Sequence, residues 1–404
     1  MIDLEIPKKF RPLVSQANQV ATEVFRPISR KYDVAEHEYP KELDMLASLI
    51  DGMNEGSDLG GAGAAGVRRE DNGGGEAKNR NGSNLSTVLG IIELCWGDVG
   101  LLLSMPRQGL GNSAIASVAT EEQLERYGGK WAAMAITEPE AGSDSASIRT
   151  TAELDGDEYV LNGEKIYVTS GERADLVVVW ATLDRSKGRA AIKSFIVERS
   201  NPGMKLDRLE HKLGIRASDT AAFILDNCRV PKEALLGSPE IDVKQGFGGA
   251  MQTFDNTRPL VAAMAVGVAR ASLDETRLRL AEAGVEVDYS RPALAQSAAA
   301  ARFLEMEADY EASRLLTLQA AWMADNGKPN SLQASMAKAK AGRTCVDVSL
   351  GCVELCGSLG YGENELLEKW ARDAKILDIF EGTQQIQLLI VARQLLGKSS
   401  AELK

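Results

Sequence analysis

Glu158-Tyr-Val-Leu-Asn-Gly-Glu-Lys-Ile-Tyr-Val-Thr169 is the stretch whose reading decides the fold. Two short apolar runs flank Asn162-Gly163, and that dipeptide between apolar runs signals a tight hairpin because both turn residues need positive φ. Similar runs surround it: Ala-Met-Ala-Ile-Thr ending at Thr137, Leu-Val-Val-Val-Trp ending at Trp180, Ser-Phe-Ile-Val-Glu ending at Glu198 and Ala-Phe-Ile-Leu ending at Leu225. A central antiparallel β-domain over residues 129–245 is expected, with Pro231 and the glycines at 246, 248 and 249 closing it.

On both sides of this domain the period is helical. Leu13, Ala17, Val20 and Val24 recur at three and four, as do Leu43, Leu46 and Ile50, so residues 1–128 read as an N-terminal helical domain. Within it, residues from about 52 to 85 shift to Gly, Asn, Asp and Arg. They offer too little apolar surface to offset the entropy of ordering and read as a mobile loop. Beyond 250, alanine-rich segments run over 262–284, 293–326 and 331–356, with a last helix over 384–397. Asn326-Gly327 followed by Pro329 is a helix stop, since the left-handed position favours Gly or Asn and proline cannot continue the helix. Long helices of this kind pack as a bundle, here over 246–404. The fold class is mainly α with a central antiparallel β-domain.

Composition narrows the function. A chain of 404 residues with 44% hydrophobic content has no apolar run near the roughly 18 residues that cross a membrane. Its opening lacks the basic start of a secretory signal, so a cytoplasmic site is expected. Five cysteines, an odd number, fit free thiols rather than a disulfide framework. The net charge of -12 disfavours nucleic acid as the main partner. Only two histidines exist, His37 and His211, which excludes histidine-rich metal sites, and both read as surface residues. No metal is expected. Gly61-Ala-Gly63-Ala-Ala-Gly66 matches a dinucleotide fingerprint on paper, but neither a preceding strand nor a following helix supports it. Cys352 and Cys356 lack further soft ligands nearby and read as core packing.

Three segments carry chemistry. Thr137-Glu-Pro-Glu-Ala-Gly-Ser143-Asp places hydroxyls and backbone N–H groups in a tight turn after a strand, where an anion or a polar ring edge would be gripped. Tyr167 and Thr169 are two apart in a strand and share a face against which a flat ring would rest. In Asp378-Ile-Phe-Glu-Gly-Thr-Gln-Gln-Ile-Gln387, Glu381 lies between an apolar pair and a glycine just before a helix. It reads either as a loop acid favoured by the helix dipole, with Thr383 as cap, or as a desolvated carboxylate of raised basicity.

Taken together and in order, Thr137 to Asp144, Asn162-Gly-Glu-Lys165, Tyr167-Val-Thr169, Phe254-Asp-Asn-Thr-Arg258-Pro, Arg372-Asp-Ala-Lys375 and Glu381-Gly-Thr-Gln-Gln-Ile-Gln387 resemble the acyl-CoA dehydrogenase family over nearly the whole chain. The resemblance implies a helical N-terminal domain, a β-domain and a C-terminal helical bundle. It implies FAD as cofactor, an acyl-CoA substrate, an electron-transfer flavoprotein as electron acceptor and a tetrameric assembly. It assigns Glu381 as the base that takes the α-proton, and Met134, Ile136, Thr137, Ser143, Tyr167, Thr169, Thr383 and Gln385 as FAD contacts. It also places Ser143, Asp255, Arg258, Gly382 and Arg393 along the acyl-CoA. An acyl-CoA oxidase of the same fold, or a non-catalytic or FAD-poor subunit, are the alternatives.

The chain departs from the family in one region. The usual Arg-x-x-Phe-Gly motif, which binds the pyrophosphate of a FAD held by a neighbouring subunit, is replaced by Arg279-Leu-Ala-Glu-Ala-Gly-Val-Glu-Val-Asp288. The Gln-x-x-Gly-Gly stretch that holds the adenosine half reads Glu354-Leu-Cys-Gly357-Ser358. A carboxylate is electrostatically unfavourable near a pyrophosphate. An α2β2 heterotetramer with a related subunit is therefore expected as the alternative to a homotetramer.

Overall fold

The computed structural model describes residues 5–47, 81–106, 110–241, 248–399 and 402, and side chains outside 248–256. Most of the 52–85 segment read as a mobile loop lies outside these residues. Its end does not: helix α3 (Ser83–Gly97) already includes residues 83–85. This start was hidden because its cap comes from far along the chain. The Asp325 carboxylate accepts the backbone N–H groups of Gly82, Asn84 and Leu85 at 2.7, 2.9 and 3.1 Å, satisfying the orphan donors of a helix start in place of a local Ser or Asp.

Helices α1 (Arg11–Val20) and α2 (Arg26–Val34), α3, and α4 (Val99–Ser104) to α6 (Glu121–Tyr127) precede the sheet, with α5 at Leu110–Val118. Among the described residues five helices follow it: α7 (Gly248–Glu282), α8 (Ala298–Asp325), α9 (Ser331–Tyr361), α10 (Leu367–Leu377) and α11 (Gln384–Leu396). Helix α8 stops at the Asn326-Gly327 signal, where Gly327 takes φ 61°. Helices from both ends of the chain share one core, with Phe25, Ile92, Cys95, Val266, Phe303, Trp370 and Leu377 in the same buried cluster. Helix α3 makes this possible because it buries residues all around its length. Where it meets α7 the backbones run close: a Cβ on Gly267 would lie 2.6 Å from the Ile92 carbonyl oxygen.

The sheet has seven strands: β1 (Ala132–Ala135), β2 (Thr151–Asp155), β3 (Glu158–Thr169), β4 (Leu176–Thr182), β5 (Ile192–Glu198), β6 (Met204–Leu209) and β7 (Thr220–Pro231). Its order is β1-β4-β2-β3-β7-β6, with β5 also paired to β4. The expectation of a purely antiparallel domain is corrected at β4, which pairs parallel with both β1 and β2. Strand β1 runs parallel to β4, with Ala132 opposite Leu176 and Ala135 opposite Val179. The chain between them, which includes β2 and β3, supplies the long crossover that parallel pairing requires. Strand β4 is buried at every position, the continuous apolar run that parallel neighbours permit.

The hairpin turn is also corrected. Asn162 and Gly163 lie inside β3, and the β2–β3 turn is Asp155-Gly156-Asp157-Glu158, with Gly156 at φ 65°. Gly163 instead marks a bulge against β7, between Leu161 and Gly163. It takes φ 154°, and a Cβ there would lie 2.4 Å from the Thr150 hydroxyl oxygen, so close approach and conformation both require glycine.

Candidate active site

The turn between α10 and α11 is built by the sequence around Glu381. Phe380 closes the end of α10 by donating its N–H to the Ile376 carbonyl at 3.0 Å. Thr383 opens α11 as its cap, its hydroxyl accepting the Ile386 N–H at 3.4 Å. Between these ends, Glu381 and Gly382 both take left-handed conformations, with φ of 56° and 88°. For a glutamate this costs on the order of 1 kcal/mol or more and persists only where the surroundings fix it. They do so here: the buried Gln387 amide donates to the Glu381 and Gly382 carbonyls at 3.0 and 3.3 Å, and the Lys338 ammonium donates to the Gly382 carbonyl at 2.6 Å.

The Glu381 carboxylate accepts a hydrogen bond from the Thr257 hydroxyl at 2.8 Å and has no partner among the amides of the helix start. The residue keeps some exposure, but its carboxyl is closely surrounded by protein. That burial raises its pKa above the ordinary glutamate range, against the opposing pull of Thr257, Lys338 and Arg258. Burial likewise lowers the Lys338 pKa to about 8, although Asp378 and Glu381 pull it upward. Among the described residues, the Glu381 N–H donates to no backbone or side-chain acceptor. The site thus presents a basic carboxylate and an unengaged N–H on one residue.

A second group of residues is fixed by a buried ion pair that no single motif announced. Lys165, fully buried in β3, donates to the Glu138 carboxylate at 2.7 Å and to the Ile136 carbonyl at 3.1 Å. Glu138 also accepts the Arg149 and Thr150 N–H groups at 2.6 and 3.0 Å and the Thr150 hydroxyl at 2.6 Å. Burial, then Lys165, act on Glu138, and the net effect holds its carboxyl below the usual range. This pair ties the turn after β1 to β3. The signal was present in the sequence as Glu138 of the Thr137 segment and Lys165 of the Asn162 segment, each read only within its own motif.

Thr137 is half-buried just after β1, and its carbonyl accepts the Ile166 N–H at 2.9 Å. Met134 and Ile136 are half-buried beside it, and Ser143 is exposed. Tyr167 has φ 57° and is 60% exposed, Val168 is buried, and Thr169 is half-buried, so the aromatic and the hydroxyl both keep access to solvent, although a register shift between Lys165 and Val168 breaks the strand alternation from which a shared face was expected. Among the described residues, no side-chain hydrogen bond occupies the hydroxyls of Thr137, Ser143, Tyr167 or Thr169. An open aromatic face beside uncommitted hydroxyls fits a flat ring with polar edges such as a flavin.

The other predicted residues divide. Gly382 and Thr383 share the Glu381 turn, and Gln385 is exposed on the first turn of α11. Arg258 is 3% exposed and lies inside the helical bundle, where its charge acts on Glu381 and Lys338; its guanidinium approaches the Ser335 hydroxyl at 3.5 Å. Arg393 is half-buried, with its Nε enclosed and unpaired among the described residues. Asp255 falls within α7 among the side chains that are not described. Thr257, Lys338 and Gln387, which hold the Glu381 carboxylate and its turn, were missed because these contacts depend on packing that periodicity does not specify.

Comparison with known proteins places this geometry in context. Residues 133–228 match the family model "Acyl-CoA dehydrogenase, middle domain", and residues 244–396 match "Acyl-CoA dehydrogenase, C-terminal domain". A short-chain specific acyl-CoA dehydrogenase of Clostridium acetobutylicum is 36% identical over 319 residues, 77% of this chain and 82% of that protein. The CarC subunit of a caffeyl-CoA reductase-Etf complex from Acetobacterium woodii is 34% identical over 371 residues, 89% of this chain and 91% of that one. The structure of butyryl-CoA dehydrogenase from Megasphaera elsdenii superposes with a TM-score of 0.81 at 31% identity, covering 98% of this chain and all of the other.

Proposed function

Because the chain belongs to the acyl-CoA dehydrogenase family of oxidoreductases, we propose that it oxidises an acyl-CoA thioester to the trans-2-enoyl-CoA, with Glu381 as the base for the α-proton. FAD, when bound, supplies the acceptor for the β-hydrogen, which leaves with its electron pair. The observation that carries the reading is the Glu381 carboxylate, raised in basicity by burial and held in place by Thr257. A carboxylate of higher pKa is a stronger base toward a C–H acid. The unengaged Glu381 N–H supplies a donor for the thioester oxygen as negative charge develops there, and Lys338 and Gln387 hold that N–H in place through the turn's carbonyls. Tyr167, Thr169, Thr137 and Ser143, with Met134 and Ile136, would hold the flavin; Thr383 and Gln385 would contact it from the α11 side. Arg258, Asp255, Gly382 and Arg393 are proposed along the acyl-CoA.

An electron-transfer flavoprotein is the proposed electron acceptor, a reading supported by the name of the Acetobacterium woodii relative. Anaerobic bleaching of the bound flavin by a panel of acyl-CoA thioesters of differing length tests the activity. Absence of bleaching by every member would overturn it; rapid reoxidation of the reduced flavin in air would point instead to an oxidase.

A second reading concerns assembly. Arg279, which opens the stretch found in place of the family's Arg-x-x-Phe-Gly motif, is held by three carboxylates of its own chain: Glu275 at 2.7 Å, Glu365 at 2.9 Å and Glu282 at 3.1 Å. Such an arginine is already neutralised. We therefore propose that a related subunit completes the adenosine site in an α2β2 assembly carrying fewer flavins than subunits. Native mass spectrometry of the chain expressed alone tests this, and a homotetramer with one FAD per chain would rule it out.

A further inference from the structure

We propose that Glu36, His37 and His211 form a binding site for one divalent transition-metal ion, with Zn²⁺ the best match to the donors. The three side chains come from opposite parts of the fold: Glu36 and His37 follow α2, and His211 follows β6. Read from the sequence, the two histidines were separate surface residues. The structure brings their rings to 4.9 Å between centroids, at an interplanar angle of 62°. One ligand atom from each of the three residues lies within 4.8 Å of the other two.

His37 carries the second, independent observation. Both of its ring nitrogens are shut off from solvent and lack a hydrogen-bond partner among the described residues. An imidazole with two idle, enclosed nitrogens loses hydration without recompense, and an ion bound in the site is one physical resolution. The ring is held there by backbone geometry, since His37 takes φ 74°, a left-handed conformation that a side chain adopts only under constraint. Glu36 is preset as well: one carboxylate oxygen accepts the Lys212 N–H at 2.8 Å, and the other lies 3.0 Å from His211 Nδ1. His211 is 82% exposed at its side chain, which leaves it free to adjust and leaves water access to a fourth ligand position.

Geometry and charge both permit the ion. Ligands about 2.1 Å from a tetrahedral Zn²⁺ lie roughly 3.4 Å from one another. The Glu36–His211 pair is already near that spacing at 3.0 Å, and the exposed His211 is free to turn as the ion is bound. Two imidazoles and a carboxylate form a borderline donor set that favours Zn²⁺ over Mg²⁺ or Ca²⁺. Lys212, Arg216, Glu172, Asp219 and Glu210 are the other charges nearby. The two cations are turned to other partners: the Lys212 ammonium donates to the Ser218 carbonyl at 2.8 Å, and Arg216 Nε to the Lys212 carbonyl at 2.9 Å. A bound ion would join the segment after α2 to the loop before β7.

The test uses the full chain without a polyhistidine tag, stripped with a chelator and dialysed to equilibrium against Zn²⁺, with metal counted by atomic emission. One ion per chain is expected, and His211→Ala and Glu36→Gln should each weaken binding by about tenfold or more. His37→Asn, which tolerates the left-handed backbone, should weaken it similarly. Because His211 is exposed, its variant keeps the fold and the comparison remains valid. No stoichiometric binding at about 100 µM Zn²⁺ would overturn the proposal. Binding that survives His211→Ala and His37→Asn together would also overturn it, since the ion would then sit on another group such as Cys356.

Discussion

A carboxylate of the kind proposed here as a base is a liability to the fold that holds it, and Glu381 shows the sign of the trade. With its pKa raised by burial, the folded state binds the proton more tightly than the unfolded chain does. Stability contributed by protonated Glu381 is therefore present at low pH and falls as pH rises from the unfolded value of about 4.3 through the raised folded value. Glu381→Gln removes that cost while keeping an acceptor for Thr257, so it should unfold at the same or a higher temperature at neutral pH. Its kcat/KM should fall on the order of 10²- to 10⁴-fold with flavin still bound. Acyl-CoA bleaching the variant as fast as the parent would exclude the proposed role. In the parent, kcat/KM should rise with pH through a limb above the ordinary glutamate range. Because the Thr257 hydrogen bond favours the ionised form, Thr257→Val should move that limb further up in pH. A limb that stays in place would show that the bond seen at 2.8 Å does not act on the base.

Among the elements, the helices were legible and the sheet only partly so. Periodicity and the Asn326-Gly327 stop located α8, and the Thr383 cap with Gly397 at φ 63° bounded α11 within a residue. Propensity placed strands where the structure has them, but it could not say how they pair. Asn162-Gly163 has the composition of a turn, yet the chain turns earlier at Gly156, because the approach of Thr150, just before β2, fixes Gly163 in place. The Glu381 environment followed the same division: the carboxylate and its apolar neighbours were visible locally, and Thr257, Lys338 and Gln387 were not, since each reaches the turn from another part of the bundle or a later turn of α11. The bulge yields a prediction. In Gly163→Ala the new methyl meets the Thr150 hydroxyl, which donates to Glu138 and so supports the Lys165 pair. Overpacking of this kind costs about 1–3 kcal/mol. Urea unfolding should show a lower midpoint, together with weaker flavin retention, because Ile136 and Thr137 sit on the supported turn. An unchanged midpoint would mean that β3 relaxes without involving Glu138.

At the scale of the whole molecule, three parts of the chain meet on one buried lysine. Lys369 in α10 donates to Asp98, which caps α4, at 2.7 Å and to Asp373 at 2.6 Å, and all three side chains are at most 1% exposed. Asp98 also accepts the Leu101 N–H at 2.8 Å and the Ser29 hydroxyl from α2, and Asp373 accepts the Ile215 N–H of the β6–β7 loop at 2.5 Å. Helices from both ends of the chain and the β-domain are thus fastened through one cation. Burial alone would lower the Lys369 pKa, but Asp373 and Asp98 together hold it above its ordinary value, so it stays charged. Removing that charge is costly because two carboxylates are left facing each other without water. Lys369→Met should lose about 3–5 kcal/mol at pH 7, measured by urea unfolding. The loss should also depend on pH in a fixed direction. Without the lysine, burial and the neighbouring Asp98 act on Asp373 unopposed and raise its carboxyl pKa further in the folded state, so the folded variant holds more protons than its unfolded chain, and its stability falls as pH rises through that window. The deficit relative to the parent should therefore shrink as pH is lowered from 7 toward 5. A deficit of equal size at both values would mean that lost packing of the lysine stem, rather than the stranded pair of acids, accounts for the destabilisation.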